Sequence, residues 1–107
     1  MKHELGRVIA ERALILESDP PIEKVLVRLG EPQASPEGDF YCAFEIVRGA
    51  DKECQAIYGV DPFQALQLSL RHLASFVHRY NRTQVNGRLY WFKRGDDLGF
   101  PDETNSN

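Results

Sequence analysis

The sequence predicts a single α+β domain, an antiparallel β-meander of about five strands packed against one long α-helix. Three observations carry this reading. Apolar and polar residues alternate through much of the chain up to Tyr58, the period-two signature of half-buried strands. A segment of helical periodicity with a marked entrance follows at once. The chain has 107 residues, room for one hydrophobic core rather than two, so the domain is taken as 1–107. Its ordered core is expected over 5–101, and the polar tail 102–107 is expected to fray.

Residues 8–17, VIAERALILE, permit two readings. A helix on Leu5, Val8, Ile9 and Leu16 would carry Arg12 on its apolar face. As a strand, Ala10, Arg12, Leu14 and Leu16 alternate against Ile9, Glu11, Ala13 and Ile15, and strand is the reading adopted. Ser18-Asp19-Pro20-Pro21 is a turn, because paired prolines cannot continue a ladder. Residues 23–29, EKVLVRL, form the next strand with Val25, Val27 and Leu29 on one face. Gly30-Glu31-Pro32 ends it, and a loop runs through Ser35-Pro36-Glu37-Gly38. Residues 40–47 alternate Phe40, Cys42, Phe44 and Ile46 against Tyr41, Ala43, Glu45 and Val47.

The turn Arg48-Gly49-Ala50-Asp51, centred near Ala50, returns the chain through 52–58, with Cys54, Ala56 and Tyr58 on one side. That register sets Cys42 opposite Tyr58 and Cys54 opposite Ile46, roughly 13 Å apart and beyond disulfide reach. Both cysteines are therefore expected to be reduced and buried.

The helix opens at Asp61, a good N-cap, with Pro62 at the first helical position and Gln64 placed to close a capping box. It is expected to end near Tyr80 or Asn81. At 100° per residue, Phe63, Leu66, Leu70, Leu73, Val77 and Tyr80 make a stripe that should face the sheet, widened by Ala74. A second line, Ala65, Leu68, His72 and Phe76, is surplus to one buried face. Either a loop such as the C-terminal segment covers it, or it is an interface centred on Leu68 and Phe76. Asn86-Gly87 marks a turn. Residues 88–93 read as a last strand beside the first, with Trp91 on one face and Tyr90 and Phe92 on the other. One helix covers one face of a sheet, and the opposite face, with Tyr41, Val47 and Ile57, is apolar enough to want cover. Self-association would supply it, and symmetric dimers are the commonest oligomers. Leu68, His72, Phe76, Tyr90 and Trp91 are accordingly the candidate interface residues.

Charge is segregated. Residues 62–95 contain six bases and no acid, leaving seven bases and all 16 acids, net −9, for the rest. Arg71, Arg79, Arg82, Arg88, Lys93 and Arg94, interleaved with Tyr80, Tyr90, Trp91 and Phe92, are candidate anion or nucleic-acid contacts. The overall charge of −3 counts against that reading, which stands second to protein interaction. The competing explanation is that these bases face the acidic part of the same chain or of a second copy.

No metal or catalytic pattern emerges. His72 and His78 lie about 120° apart around the helix and share no ion readily. His3 sits near a terminus, and Asp96, Asp97, Asp102 and Glu103 lack calcium-loop spacing. Neither cysteine has a histidine beside it in sequence. There is no phosphate-cradling glycine run, and no cofactor is expected. Nor is there an apolar signal core or membrane span, the aliphatic run Ala13–Leu16 being far too short. A cytoplasmic, non-enzymatic interaction module acting as a homo-oligomer, with no membrane partner, is the expectation.

Two motifs carry a resemblance: YGVDPFQALQLSLRHL at Tyr58–Leu73, and LYWF followed by DDLGFP within Leu89–Pro101. Together they cover about a quarter of the chain. The combination resembles a small bacterial domain family of unknown function with a GVD-capped helix and a C-terminal LGFP-like segment. It is also similar, more loosely, to products of mobile integron gene cassettes. The resemblance implies an α+β fold and favours strand at 8–17. It brings no catalytic residue, and it implies a structural role for Leu98, Gly99, Phe100 and Pro101, with Gly99 permitting the bend.

Overall fold

A computed structural model describes residues 4–18 and 22–101. His3, the turn at Asp19-Pro20-Pro21, and Asp102 and Glu103 with the rest of the tail lie outside the described residues. The elements are β1 (Val8–Leu16), β2 (Glu23–Gly30), β3 (Gln33–Ala34), β4 (Phe40–Arg48), β5 (Asp51–Gly59), α1 (Pro62–Gln84) and β6 (Leu89–Tyr90). The strands β1, β2, β4 and β5 form an antiparallel meander. β6 returns antiparallel beside β1, pairing Ile15 with Tyr90 and Leu16 with Leu89. β3 pairs with β4 on the same side as β2, giving six strands in one sheet. The α+β class, the strand at residues 8–17 and the position of the last strand are as the sequence predicts.

The core lies between α1 and one sheet face. Leu14 and Leu16 from β1, Val25 and Val27 from β2, and Cys42, Phe44 and Ile46 from β4 meet Leu73, Phe76 and Val77 of the helix. Phe44 and Phe76 pack edge to face at 5.3 Å between centroids, a preferred aromatic geometry. The alternation that the sequence displays in β1, β2 and β4 thus divides helix-facing from open positions as expected.

Three expectations need correction. In β5 the register differs by one residue: Arg48 pairs with Asp51, Cys42 with Ile57 and Cys54 with Glu45. The turn is the two-residue Gly49-Ala50, with φ 58° at Gly49, where a type II′ hairpin takes glycine. An even turn has its centre between residues rather than on Ala50. A slip of one moves every side chain to the other face. Ile57 therefore packs toward the helix, not the open face, and Cys54 is exposed rather than buried. Cys42 is buried, its thiol donating to the Gly30 carbonyl at 3.2 Å, and burial pushes that thiol's pKa up.

The second correction concerns the rotation of α1. Its buried residues are Ala65, Ser69, Leu73, Ala74, Phe76, Val77 and Tyr80. Phe63 is 71% exposed and Leu70 50%, so the stripe assigned to the sheet is in part a surface. Phe76, taken as surplus, is core. Small side chains let the helix approach the sheet closely: a Cβ on Gly59 would overlap the backbone of Ala65, and Ser69 donates to the Cys42 carbonyl at 2.9 Å.

Third, β6 stops at Tyr90 instead of running to Lys93, because the Asp96 carboxylate collects the next amides. It accepts from the N–H groups of Trp91, Phe92, Lys93 and Leu98 at 2.8–3.2 Å. A side chain that bonds backbone in this way competes with the ladder.

Candidate interaction surfaces

The sheet face turned away from α1 carries Ala13 and Ile15 of β1, Leu26 of β2, Tyr41 and Val47 of β4, and Tyr58 of β5, as register and alternation dictate. Ile15, Leu26, Tyr41 and Val47 are half-buried and Tyr58 is 40% exposed. Tyr41 and Tyr58 lie side by side at 5.9 Å between ring centroids. Across the middle runs a charged row. Arg28 meets Glu11 at 2.7 Å and Glu45 at 3.5 Å, and Glu45 is only 8% exposed. The hydrogen bond to Glu11, with the two carboxylate charges, raises the Arg28 pKa despite an opposing desolvation effect. The face is thus apolar around an ion-paired centre, with exposed Lys24 opposite Ile15 and Lys52 opposite Val47 on the same face.

A second surface lies on the outer side of α1. The Asp61 cap forms as the sequence predicts, with the Gln64 N–H donating to Asp61 Oδ1 at 2.7 Å, but the Gln64 side chain reaches one residue past the cap, its Oε1 accepting from the Val60 N–H at 2.8 Å. The closing segment then comes back across the helix. Leu98 is fully buried with φ 63°, a left-handed conformation that is uncommon for leucine, and Gly99 follows at φ 72°. Arg12 explains how this bend is held. Its guanidinium sits 3.8 Å from the Trp91 ring centroid and 4.5 Å from that of Phe100, and it donates to the Gly99 carbonyl at 2.8 Å. Gly99 lies so close to the Trp91 ring that no Cβ would fit. The His78 ring N–H donates to the Phe100 carbonyl at 2.6 Å. The structural role implied for Leu98, Gly99 and Phe100 is what these contacts describe, whereas Pro101 is exposed. The segment covers the helix at Ala74 and His78, on the opposite flank from the line at Ala65 and Phe76. Between it and the helix runs a groove of about 310 Å³ lined by Gln67, Leu70, Arg71, Ala74, Phe100 and Pro101. Leu70 and Phe63 extend that apolar track toward the helix N-terminus.

The sequence candidates are scattered rather than gathered. Phe76 is buried, Leu68 and Tyr90 are half-buried, and His72 is exposed with its ring nitrogen 2.9 Å from the Leu68 carbonyl. Trp91 packs against the core beneath Arg12, with Phe92 stacked on it at 4.2 Å between centroids. Of the six bases, Arg88 donates to the Val85 and Glu17 carbonyls, and Arg94 pairs with Glu17 at 2.9 Å. Arg71 borders the groove, Arg79 leans over Phe76 at 5.8 Å, and Arg82 lies in the last helical turn. Lys93 is exposed in the loop closed by Asp96. The bases therefore form no continuous track. Sequence reasoning missed Arg12, Asp96 and the Phe63–Leu70 track. Only the awkward position of a charge in an apolar strand pointed to Arg12.

Among the described residues no three or more His, Cys, Asp or Glu side chains converge as metal ligands, and no helix is long and apolar enough to cross a membrane. The family described as "Domain of unknown function (DUF6968)" matches residues 10–102, which include both surfaces and the Arg12–Trp91–Phe100 stack. No curated protein and no solved structure matches the chain.

Proposed function

The chain belongs to DUF6968, whose description assigns no activity, and from the geometry we propose a cytoplasmic, non-enzymatic interaction module that works as a homodimer joined through its open sheet face. One observation carries the proposal: among the described residues a six-stranded sheet has a helix on one face only, while the other presents Ile15, Leu26, Tyr41 and Val47 around an ion-paired centre. Four long strands give a plan area of about 600 Å² at the usual strand spacing and rise. With side-chain relief that approaches the ~800 Å² per partner of a standard interface. The face suits a second copy because Arg28 is flanked by Glu11 and Glu45 while exposed Lys24 and Lys52 stand opposite Ile15 and Val47, so each copy offers both signs of charge to the other. Sheet-on-sheet packing at about 10 Å, with strand directions within about 30°, is the expected arrangement.

Light scattering on a sizing column tests it. The expected mass is twice 12.2 kDa in both low and high salt, since an apolar contact is little screened. Leu26→Glu should reduce it to a single chain. A wild-type monomer at roughly 100 μM, well above the Kd of a standard interface, would remove the proposal.

A further inference from the structure

The outer track of α1 has a chemistry distinct from that of the sheet face. Phe63 and Leu70 stand two turns apart on one side of the helix, 71% and 50% exposed, with Val60 at 78% just before the cap. The track runs into the groove, where Phe100 and Pro101 supply the far wall and Arg71 one border. The helix carries no acidic side chain, and its outer arc holds Arg71, Arg79 and Arg82. Arg71 and Arg82 lie about 80–100° around the axis from Phe63, flanking the apolar track on one side. We propose that this track and groove dock an acidic amphipathic helix of another protein, with its apolar residues on Phe63, Leu70 and Phe100 and its carboxylates toward Arg71.

Charge complementarity selects the occupant. A second copy presenting the same helix would set arginines against arginines, and like charges across an interface are strongly unfavourable. The two surfaces therefore sort their partners: the sheet face is self-compatible, while the helix calls for acid. The apolar lining selects protein over nucleic acid. Leu70, Ala74, Phe100 and Pro101 offer no phosphate contact, and Arg88 and Arg94 are engaged with the chain's own Glu17. A helix seated on residues spaced by whole turns is an established mode of groove recognition. The closing segment bounds one end of the track, where Phe100 and Ala74 share the groove lining and the Phe100 carbonyl accepts from His78.

The test is selection of a phage-displayed random library of peptides roughly 16 residues long, about four helical turns, on the full chain. Enriched peptides are then synthesised and titrated by fluorescence anisotropy. The expected winners are acidic with apolar residues at i, i+3 or i+4, and i+7. Their affinity should fall at least about tenfold in Leu70→Glu and in Arg71→Glu, both exposed positions that tolerate substitution, and be unchanged in Leu26→Glu. Neutral or basic winners, no enrichment over a Leu70→Glu bait, or binding indifferent to Arg71→Glu would overturn the proposal. A labelled oligothymidylate provides the other arm. If it binds, weakens steeply with salt and is lost in Arg79→Glu/Arg82→Glu but not in Leu70→Glu, while no acidic peptide binds, the basic arc serves nucleic acid and the proposal fails.

Discussion

Asp96 shows how much of the C-terminal architecture depends on one carboxylate. Partial burial acts to raise its pKa, but the amides of Phe92, Lys93, Trp91 and Leu98 outweigh that and hold it at about 2, below the ordinary 3.8. A carboxylate accepting several backbone N–H bonds is stabilised in its charged form. The direction of the pH dependence follows. Because the folded pKa lies below the unfolded one, the contribution is fully present above about pH 4 and is lost as pH falls toward 2. Asp96→Asn should destabilise the fold at neutral pH and flatten the acid limb of a stability-versus-pH curve between those values, followed by Trp91 fluorescence. An unchanged acid limb would mean that the four amides do not need the charge. Arg12 is the complementary residue: Asp96 shapes the loop up to the Leu98 amide, and Arg12 donates to the Gly99 carbonyl at 2.8 Å and the Leu98 carbonyl at 3.5 Å. Both lie inside the span matched by the family, although the role of neither was legible, since an isolated charge in sequence carries no record of which distant backbone groups it will meet.

The way α1 meets the sheet is decided by small residues, and the prediction at this scale inverts the usual ranking by bulk. Gly59→Ala adds one methyl but drives it into the Ala65 backbone, and should cost about 2 kcal/mol or more. Phe63→Ala removes most of a large side chain that is 71% exposed, and should cost under about 1 kcal/mol. Urea midpoints at matched m-values separate the two. Equal costs would return Phe63 to the core, where the periodicity of the sequence places it. This contrast also explains what was readable. Strands β1, β2 and β4 and the Asp61 cap were legible because their signals are local: alternation, a prolyl first turn, an Asx acceptor. The rotation of α1 was not, because a hydrophobic stripe records bulk and not how close two backbones come. The β5 register turned on whether a hairpin centre falls on a residue or between two, a difference that composition does not encode. β3, two residues long, has no periodicity to read. Of the candidate surfaces, the open sheet face was foreseen in outline, with Tyr41 and Val47 placed correctly and Ile57 carried to the wrong side by that same slip.

At the scale of the whole molecule, a two-layer fold only 21 Å through its thinnest axis packs its helix on one side of its sheet, and the proposed dimer covers the other. If a second copy does this, assembly and stability are the same equilibrium, and the thermal midpoint must depend on concentration. A hundredfold rise in protein changes the free energy of an unfolding dimer by about 2.7 kcal/mol. Spread over the unfolding entropy of two chains of this length, that raises Tm by about 6 °C. The gain should vanish in Leu26→Glu, which loses the interface but leaves the helix-facing core intact and so should melt near the wild type at the dilute end. The helix surface makes no such demand. Leu70→Glu and Arg71→Glu should keep the full concentration dependence, because their track lies on the opposite layer from the sheet contact. Scans across a hundredfold range of concentration on these four proteins therefore distinguish a face used for self-association from one reserved for an acidic partner. A flat midpoint in the wild type would leave the sheet open in solution and remove the dimer, whereas loss of the dependence in Leu70→Glu would place the self-contact on the helix.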